Sequence, residues 1–227
     1  MNPPRSTSFE TAPKVSVVVP CYNVQDTLDA AVRSVLDQSF SDFEILLVND
    51  GSTDRTRQIC DGYSDKRIRV IHKPNGGLAS ARNRGMMEAR GSYIALLDSD
   101  DLYEPEKLAE HVAHLNANPR VGISFSHSQF INDGGTRLPI YQRGKTTAIT
   151  PRQVLCRNPI GNGSAAVIRR IALADVASPS NAEQDRGYFD TSLRQSEDVE
   201  FWLRVISTSR WRIEGIAKSH IYFVLNF

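Results

Sequence analysis

An apolar run that ends in acidic residues constrains the fold more than any other segment of this chain. Tyr93–Leu97 is apolar, and the segment Asp98–Asp101 that follows it carries three carboxylates within four positions. An uninterrupted apolar run of this length is typical of a strand buried on both faces, and such strands belong to sheets that helices cover. In open sheets of this kind, ligands bind beyond the carboxyl ends of the strands. The segment therefore predicts an α/β fold with acidic side chains at its binding edge.

Strand-type and helix-type segments alternate along the first 120 residues. Apolar or β-branched runs at Val15–Val19, Phe43–Val48, Ile68–Ile71 and Tyr93–Leu97 predict four strands, with amphipathic segments between them. This alternation predicts a mostly parallel, Rossmann-like sheet flanked by helices. We expect one domain overall, in which residues 14–120 form a nucleotide-binding half and residues 121–227 a less regular, substrate-facing half. Residues 1–13 are predicted to be a disordered N-terminal segment.

Bulk composition excludes several classes of protein. With 27 basic and 26 acidic residues, the net charge of +1 gives no global field to attract nucleic acid. Three widely spaced cysteines form neither a metal motif nor a disulfide framework, which favours a reducing, cytoplasmic setting. No signal peptide and no stretch of about 20 apolar residues is evident. The apolar run at residues 221–227 suggests a fragment of a longer protein, and His111 and His114 are expected to be solvated on a helix surface.

Three strand ends are expected to meet at one edge of the sheet and to form a nucleotide site. A nucleotide needs an apolar or aromatic face for its base, acceptors for the N–H groups of the base and a counterion for its phosphates. Tyr22, Asp50 and the acids of Asp98–Asp101 can supply these in turn. The alternatives are ordinary packing for Tyr22 and a simple turn role for Asp50 before Gly51.

The same acidic segment suggests a divalent cation. Carboxylates packed this closely repel one another unless a cation or hydrogen-bond donors stabilise them, and oxygen ligands suit Mg²⁺ or Mn²⁺. The alternative is that Asp101 only caps the helix that starts near Pro105. Neither a GxGxxG nor a GxxxxGK[ST] motif is present, which argues against a dehydrogenase-type fold and a P-loop enzyme. A sugar nucleotidyltransferase would need a Gly-rich loop after strand one, where this chain has Pro20–Asn23.

Four segments, taken in order, carry a resemblance to the family 2 glycosyltransferases. They are Val15–Asn23, Leu46–Asp54, Asn75–Asn83 and Asp98–Asp101. The resemblance implies a GT-A fold, a nucleotide-activated sugar as donor and Mn²⁺ or Mg²⁺ as cofactor. It also implies a set of nucleotide-binding residues: Pro20, Tyr22, Asn23, Asp50, Arg82, Asp98 and Ser99.

Individual roles follow from the same resemblance. Tyr22 would stack on the base, Asp50 would accept from its ring N–H, and Asp98 would lie near the ribose or the diphosphate. Asp100 would bind the metal ion, and Arg82 would contact the nucleotide from the side of the third strand.

A further match, Ser196–Asp198, implies the catalytic groups. The resemblance makes Asp198 the catalytic base and places Glu197 beside the acceptor. The alternative is that these acids only complement the dipole of a helix that Ser196 caps. One base without a second nucleophile implies a single displacement with inversion at the sugar carbon. The Arg210–Trp211 pair lacks a glutamine three residues before the arginine, so the QxxRW motif of processive members is absent and a non-processive enzyme is expected.

Together these features predict an inverting transferase of polysaccharide biosynthesis. The expected donor is a nucleoside-diphosphate sugar, with UDP favoured, and the expected acceptor is a saccharide or a lipid-linked saccharide. We expect a cytoplasmic protein that works at the inner face of the membrane, and peripheral membrane association is part of this expectation. The alternative is a catalytically silent domain that binds nucleotide sugars.

Overall fold

The computed structural model describes residues 12–132, 135–176 and 187–224, so nearly all of the predicted disordered segment lies outside the described residues. The strands are β1 (Val15–Cys21), β2 (Phe43–Asp50), β3 (Ile68–Lys73), β4 (Tyr93–Leu96), β5 (Leu102–Tyr103), β6 (Val121–Ile131), β7 (Arg137–Gln142), β8 (Ala166–Arg169) and β9 (Arg212–Val224). The helices are α1 (Leu28–Leu36), α2 (Thr56–Gly62), α3 (Leu78–Glu88), α4 (Lys107–Ala117), α5 (Pro151–Arg157), α6 (Arg170–Ala174) and α7 (Glu197–Thr208). A 3₁₀ turn, Gly163–Ala165, precedes β8.

All of these strands join one sheet in the order β3-β2-β1-β4-β8-β6-β9-β5, with β7 paired to β6. Strands β3, β2, β1 and β4 are parallel, as the alternation of strands and helices predicted. Strand β8 is antiparallel to both β4 and β6, and it joins the parallel part to the long pair β6 and β9. The α/β prediction is confirmed, and the C-terminal half extends the same sheet.

Burial explains why these segments form strands. Every residue of β1, β2 and β4 is buried, which matches the apolar runs found in the sequence. Helix α3 lies so close to the sheet that a Cβ at Gly85 would be 2.3 Å from Val18 Cγ1. Only glycine allows this approach, so the helix that carries Arg82 is fixed against β1 and β2. No helix among the described residues is long and apolar enough to cross a membrane.

A polar cluster is buried between α4 and the second half of the sheet. The prediction that His111 is solvated was wrong, because it lies on the face of α4 that carries Leu108 and Leu115 into the core. Its Nδ1 lies 2.7 Å from Ser124 Oγ, and its ring packs edge-on against His220 at 5.7 Å. Lys107 is also fully buried and donates from Nζ to the Ala165 carbonyl at 3.2 Å.

Burial controls the protonation of this cluster. It lowers the pKa of Lys107 and of His111 well below their ordinary values. Burial, together with the charge of Lys107, lowers the pKa of His220 to about 4, although Glu110 opposes the shift from 3.4 Å. The folded protein therefore holds His220 neutral at pH 7.

We predict that His220 contributes to acid sensitivity. The unfolded chain has a histidine pKa of about 6.5, so it takes up the proton before the folded state does, and stability falls as the pH drops from 6.5 towards 4. This group accounts for a loss of up to about 3 kcal/mol in the free energy of unfolding. Urea denaturation at several pH values should show a shallower pH dependence for His220→Gln. His72→Gln is the comparison at a more exposed ring, which contacts Asn49 and Asp61. Equal slopes for wild type and His220→Gln would contradict the prediction.

Candidate active site

The register of the parallel strands brings the predicted residues together. Pro20 of β1 lies opposite Val48 of β2, and Val18 lies opposite Leu96 of β4, so the three strands end at one edge. Beyond this edge is a cleft of about 480 Å³. It is lined by Pro20, Cys21, Tyr22, Val24, Asp50, Asn75, Gly77, Leu78, Ala81, Asp98, Ser99, Asp100 and Phe223. Six of the predicted site residues thus line one cleft.

Tyr22 and Asp50 face this cleft in different ways. The Tyr22 side chain is 49% exposed, so it is free to stack on a planar ligand and is not core packing. Asp50 is buried, and its carboxylate accepts from the Gly76 N–H at 3.0 Å, the Gly77 N–H at 2.8 Å and the Lys73 ammonium. Asp50 therefore anchors the turn before α3 while it lines the cleft. The position of Asp50 is thus compatible with both roles considered from the sequence, a nucleotide contact and a turn residue.

Asn23 does not line the cleft but shapes it. It has a left-handed backbone conformation (φ 52°), and its side-chain oxygen accepts from the Thr53 N–H at 2.8 Å. Its own N–H donates to Ser52 Oγ at 3.2 Å. The loops after β1 and β2 are joined by these bonds, which hold Tyr22 and Asp50 on the same side.

The acidic loop after β4 could hold a cation. Asp100 is exposed and Asp98 is half-buried, and both line the cleft. Although Asp100 is exposed, desolvation by the surrounding loop and the negative charge of Asp98 raise the pKa of its carboxyl, an effect that a bound cation would reverse. Among the described residues, no group of three or more His, Cys, Asp or Glu side chains could hold a metal ion by itself. The carboxylate oxygens fit Mg²⁺ or Mn²⁺, which commonly complete their coordination with water and substrate phosphates.

Arg82 makes a buried bridge between the two halves of the chain. It is 2% exposed, and its Nη2 donates to Asp98 Oδ1 at 2.6 Å while its Nη1 donates to Glu197 Oε1 at 2.7 Å. Arg82 does not line the cleft. It links the acidic loop to α7. Its Nε has no partner among the described residues.

The residue after Arg82 strengthens the same link. The Asn83 side chain accepts from the N–H groups of Tyr188 and Phe189 and donates to the Phe189 carbonyl at 2.8 Å. Asn83 therefore holds the segment before α7, and its neighbour Arg82 holds Glu197, the first residue of α7. This role of Asn83 could not be predicted from the sequence, because its partners lie more than 100 positions away.

Asp198 lies in the first turn of α7, next to the bridge. Burial raises the pKa of its carboxyl, and the negative charges of Glu197 and Asp98 add to the rise, while the Val199 N–H and Arg82 oppose it. Its Oδ1 accepts from that N–H at 2.7 Å. Ser196 stands at the cap position in a left-handed conformation (φ 61°) and makes no side-chain capping bond. A carboxylate with a raised pKa is suited to accept a proton.

Asp101 was missed as a structural part of the site. It is buried rather than capping a helix, and its Oδ2 accepts from the Ser164 hydroxyl at 2.5 Å. Ser164 in turn accepts from the Asp98 N–H at 2.9 Å. Burial and the charge of Asp98 raise the pKa of Asp101 well above its ordinary value. The 3₁₀ turn that carries Ser164 is thus hydrogen-bonded to the acidic loop at both Asp98 and Asp101.

An apolar wall completes the cleft. Leu78 and Ala81 come from the first turns of α3, and Phe223 comes from the end of β9. Leu78 and Ala81 belong to the segment Asn75–Asn83, whose resemblance to the family already indicated a place near the nucleotide. Phe223 could not be predicted, because its position depends on the pairing of β9 with β6, where it lies opposite Phe130.

We predict that the Arg82 bridge dominates the stability of the site. Replacing Arg82 by Ala leaves two carboxylates close together in a buried place, which is expected to cost about 3–5 kcal/mol in the free energy of unfolding. Arg84→Ala is the matched control on the same helix, because Arg84 forms only an exposed pair with Glu88. Chemical denaturation measures both variants, and similar losses for the two would contradict the prediction.

Comparisons with known proteins agree with this geometry. The model of the family "Glycosyl transferase family 2" matches residues 16–177. The uncharacterized glycosyltransferase EpsJ of Bacillus subtilis (strain 168) is 53% identical over 91 residues, which is 39% of this chain and 26% of EpsJ. The putative teichuronic acid biosynthesis glycosyltransferase TuaG of the same organism is 40% identical over 129 residues, 56% of this chain and 51% of TuaG.

A solved structure shares the fold over almost the whole chain. The structure of S. aureus TarS 1–349 in complex with UDP-GlcNAc superposes with a TM-score of 0.73 at 25% identity, covering 94% of this chain and 59% of TarS. The matched region thus spans only part of each of these relatives. Because the family model covers most of the sequence and the fold is of the GT-A type, this chain belongs to glycosyl transferase family 2.

Proposed function

We propose that this chain transfers a glycosyl group from a nucleoside-diphosphate sugar to an acceptor hydroxyl by a single displacement with inversion. The observation that carries the proposal is the Arg82 bridge, because it joins the acidic loop of the donor cleft to the helix turn that carries Asp198. A donor site and a candidate base are thus held in one rigid unit.

The cleft can accommodate each part of the donor. Tyr22 offers an exposed ring to the base, and Asp50 holds a carboxylate in fixed orientation beside it. Leu78 and Ala81 supply an apolar wall on the other side. UDP is the favoured nucleotide. A structure of the related TarS contains UDP-GlcNAc, which supports this choice.

A divalent cation belongs to the proposed donor site. Asp100, with Asp98 beside it, would hold Mg²⁺ or Mn²⁺. When bound, such an ion offsets the negative charge that develops on the leaving nucleoside diphosphate. Arg82 keeps one oxygen of Asp98 occupied, which fixes the orientation of that carboxylate. Asp100 makes no ion pair with any described residue and so keeps its charge available for the cation.

Asp198 is the proposed base for the acceptor hydroxyl. Arg82 pairs with Glu197 and Arg204 pairs with Glu200, which leaves Asp198 as the carboxylate of α7 without an ion pair among the described residues. The acceptor oxygen then bonds to the anomeric carbon as the bond to the diphosphate breaks, and the proton passes to Asp198. No second carboxylate is needed as a nucleophile, so the configuration inverts. The proposed role of Glu197, which is paired with Arg82, is to orient the acceptor.

We further propose the setting of the reaction. The acceptor is a saccharide or a lipid-linked saccharide, and one sugar is added at each encounter. TuaG is a putative glycosyltransferase of teichuronic acid biosynthesis, which supports a saccharide acceptor. Free thiols at Cys21, Cys60 and Cys156 are consistent with work in the cytoplasm, and a lipid-linked acceptor would bring the protein to the inner face of a membrane.

Nucleotide binding tests the proposed donor site. Calorimetric titration with UDP, GDP, dTDP and CDP, each with and without Mn²⁺, should show metal-dependent binding of one nucleotide class, UDP being expected. Asp100→Ala should lose the metal dependence, because the metal loses its protein ligand. Asp26→Ala, which removes an exposed carboxylate from a turn, should bind like the wild type. No binding of any nucleotide by a folded wild type would refute the donor site.

Turnover tests the proposed base. Asp198→Asn should lower kcat by about 10²–10⁴-fold, because the amide cannot take the proton, while UDP binding stays within about twofold. Glu200→Gln, a neutralisation in the same helical turn, should keep most of the activity. NMR of the product of the wild type should show an inverted anomeric configuration.

Two results would contradict the proposed mechanism. One is near-normal turnover by Asp198→Asn, and the other is retention of configuration in the product. Nucleotide binding by the wild type without turnover on any saccharide would favour the silent binding domain.

A further inference from the structure

A second cleft lies away from the donor site and carries a different chemistry. It has a volume of about 620 Å³ and lies between the end of β7 and the turn after α5. None of the residues that line it also lines the donor cleft. Its charged and amide side chains are those of Gln142, Arg143, Lys145, Gln153, Arg157 and Asn158.

The charged side chains that line this cleft are all positive. Residues 134–174 contain seven lysines and arginines and no Asp or Glu, in a chain whose net charge is only +1. Arg143 stacks on the Tyr141 ring at 4.2 Å, and Lys145 donates to the Ala148 carbonyl at 3.2 Å. In the part of the chain that the structure describes, neither they nor Arg157 form an ion pair with a carboxylate. Three cations thus face one recess with their charge uncompensated.

We propose that this cleft is an acceptor subsite that binds a phosphate ester group. Guanidinium groups match phosphate oxygens with paired N–H donors, and a lysine adds a compact positive charge. The Gln142 amide offers a donor and an acceptor, and Gln153 Nε2 adds a donor, which suits the hydroxyl groups of an attached sugar. Gln153 Oε1 and the Asn158 amide are already engaged with Thr150 and Gly161. Its role as part of the acceptor site rests on the proposed function.

The chain itself connects the cleft to the catalytic centre. Asn158 lines the cleft, and five positions later a Cβ at Gly163 would lie 2.6 Å from Arg82 Nη2. Five residues span at most roughly 18 Å, so Asn158 at the wall of the cleft lies within roughly 20 Å of the Arg82 guanidinium that bridges Asp98 and Glu197. An acceptor could therefore place a phosphate in this cleft and a hydroxyl, a short stretch of sugar away, beside Asp198.

The shape of the cleft favours a discrete phosphate over a membrane surface. Exposed apolar side chains do lie nearby, at Ile140 and Leu155. The three cations are themselves exposed, but Gln142 and Gln153 of the same recess are half-buried, where a discrete phosphate ester can reach them and a planar lipid surface cannot. The phosphate could belong to a lipid-linked diphosphate or to a phosphodiester within a glycan, which present the same oxygens to the arginines.

The test is direct binding of tripolyphosphate to the full chain, measured by calorimetry at low ionic strength in EDTA. EDTA removes divalent cations, so metal-dependent binding at Asp100 does not contribute. The double variant R143Q/R157Q should bind about tenfold more weakly or worse, because each lost arginine removes charge-assisted bonds. The matched control R120Q/R210Q removes two exposed arginines from a different cleft and should bind within about twofold of the wild type.

Each outcome decides for or against the subsite. An equal loss of tripolyphosphate affinity in the two double variants would show general electrostatic attraction and would overturn the proposal. The absence of any binding to the wild type would overturn it as well. Binding to phosphatidylglycerol vesicles but not to tripolyphosphate would overturn it in favour of a membrane surface. Tighter binding of farnesyl diphosphate than of bis-glycerol phosphodiester would support a lipid-linked source, and the reverse a glycan source.

A parallel UDP titration with Mn²⁺ separates this proposal from the proposed function. R143Q/R157Q should bind UDP like the wild type, because neither arginine lines the donor cleft. Failure of UDP binding in the wild type would count against the proposed function and would leave the phosphate result standing by itself.

Discussion

The buried guanidinium of Arg82 is the interaction on which the rest of the site depends. It lies between Asp98 and Glu197, and the second of these is 115 positions away in the chain. A charge buried to this degree must be paired, because an uncompensated ion inside a protein costs several kcal/mol. Both carboxylates are therefore held where the arginine needs them, and the acidic loop and the start of α7 are aligned as a result. Asp100 and Asp198 stay outside the pair and form no ion pair among the described residues, and desolvation raises the pKa of both carboxyls.

Local patterns were sufficient for one half of the structure. The four parallel strands and the residues at their ends could be predicted, because a buried strand needs an apolar run and parallel strands end at a common edge. The partners of Arg82 and Asn83 could not, since both bonds join segments more than 100 residues apart. His111 was misplaced for a related reason. Its helix face is set by the neighbours Leu108 and Leu115, and a buried histidine paired with Ser124 leaves no periodic signal of its own.

The donor cleft combines a fixed polar floor with open aromatic and apolar walls. Asp50 is already held by the turn at Gly76 and Gly77 and by Lys73, so binding a nucleotide requires no reorientation of this carboxylate. Tyr22 is exposed, and a base that stacks on it removes apolar surface from water. The structure thus concentrates its directional groups where they are rigid and leaves the less directional stacking contact to a side chain that can adjust.

The long reach of the contacts in the site has a consequence for synthesis of the chain. Phe223 and Tyr22 line the same cleft, and Glu197 pairs with Arg82, so residues from both ends of the described sequence are needed at one place. Closing loops of this length costs chain entropy before any contact compensates for it, and such contacts form late in folding. A nascent chain on the ribosome therefore carries the first four strands long before it carries a complete cleft. The lining of the cleft is complete only when β9 has joined the sheet.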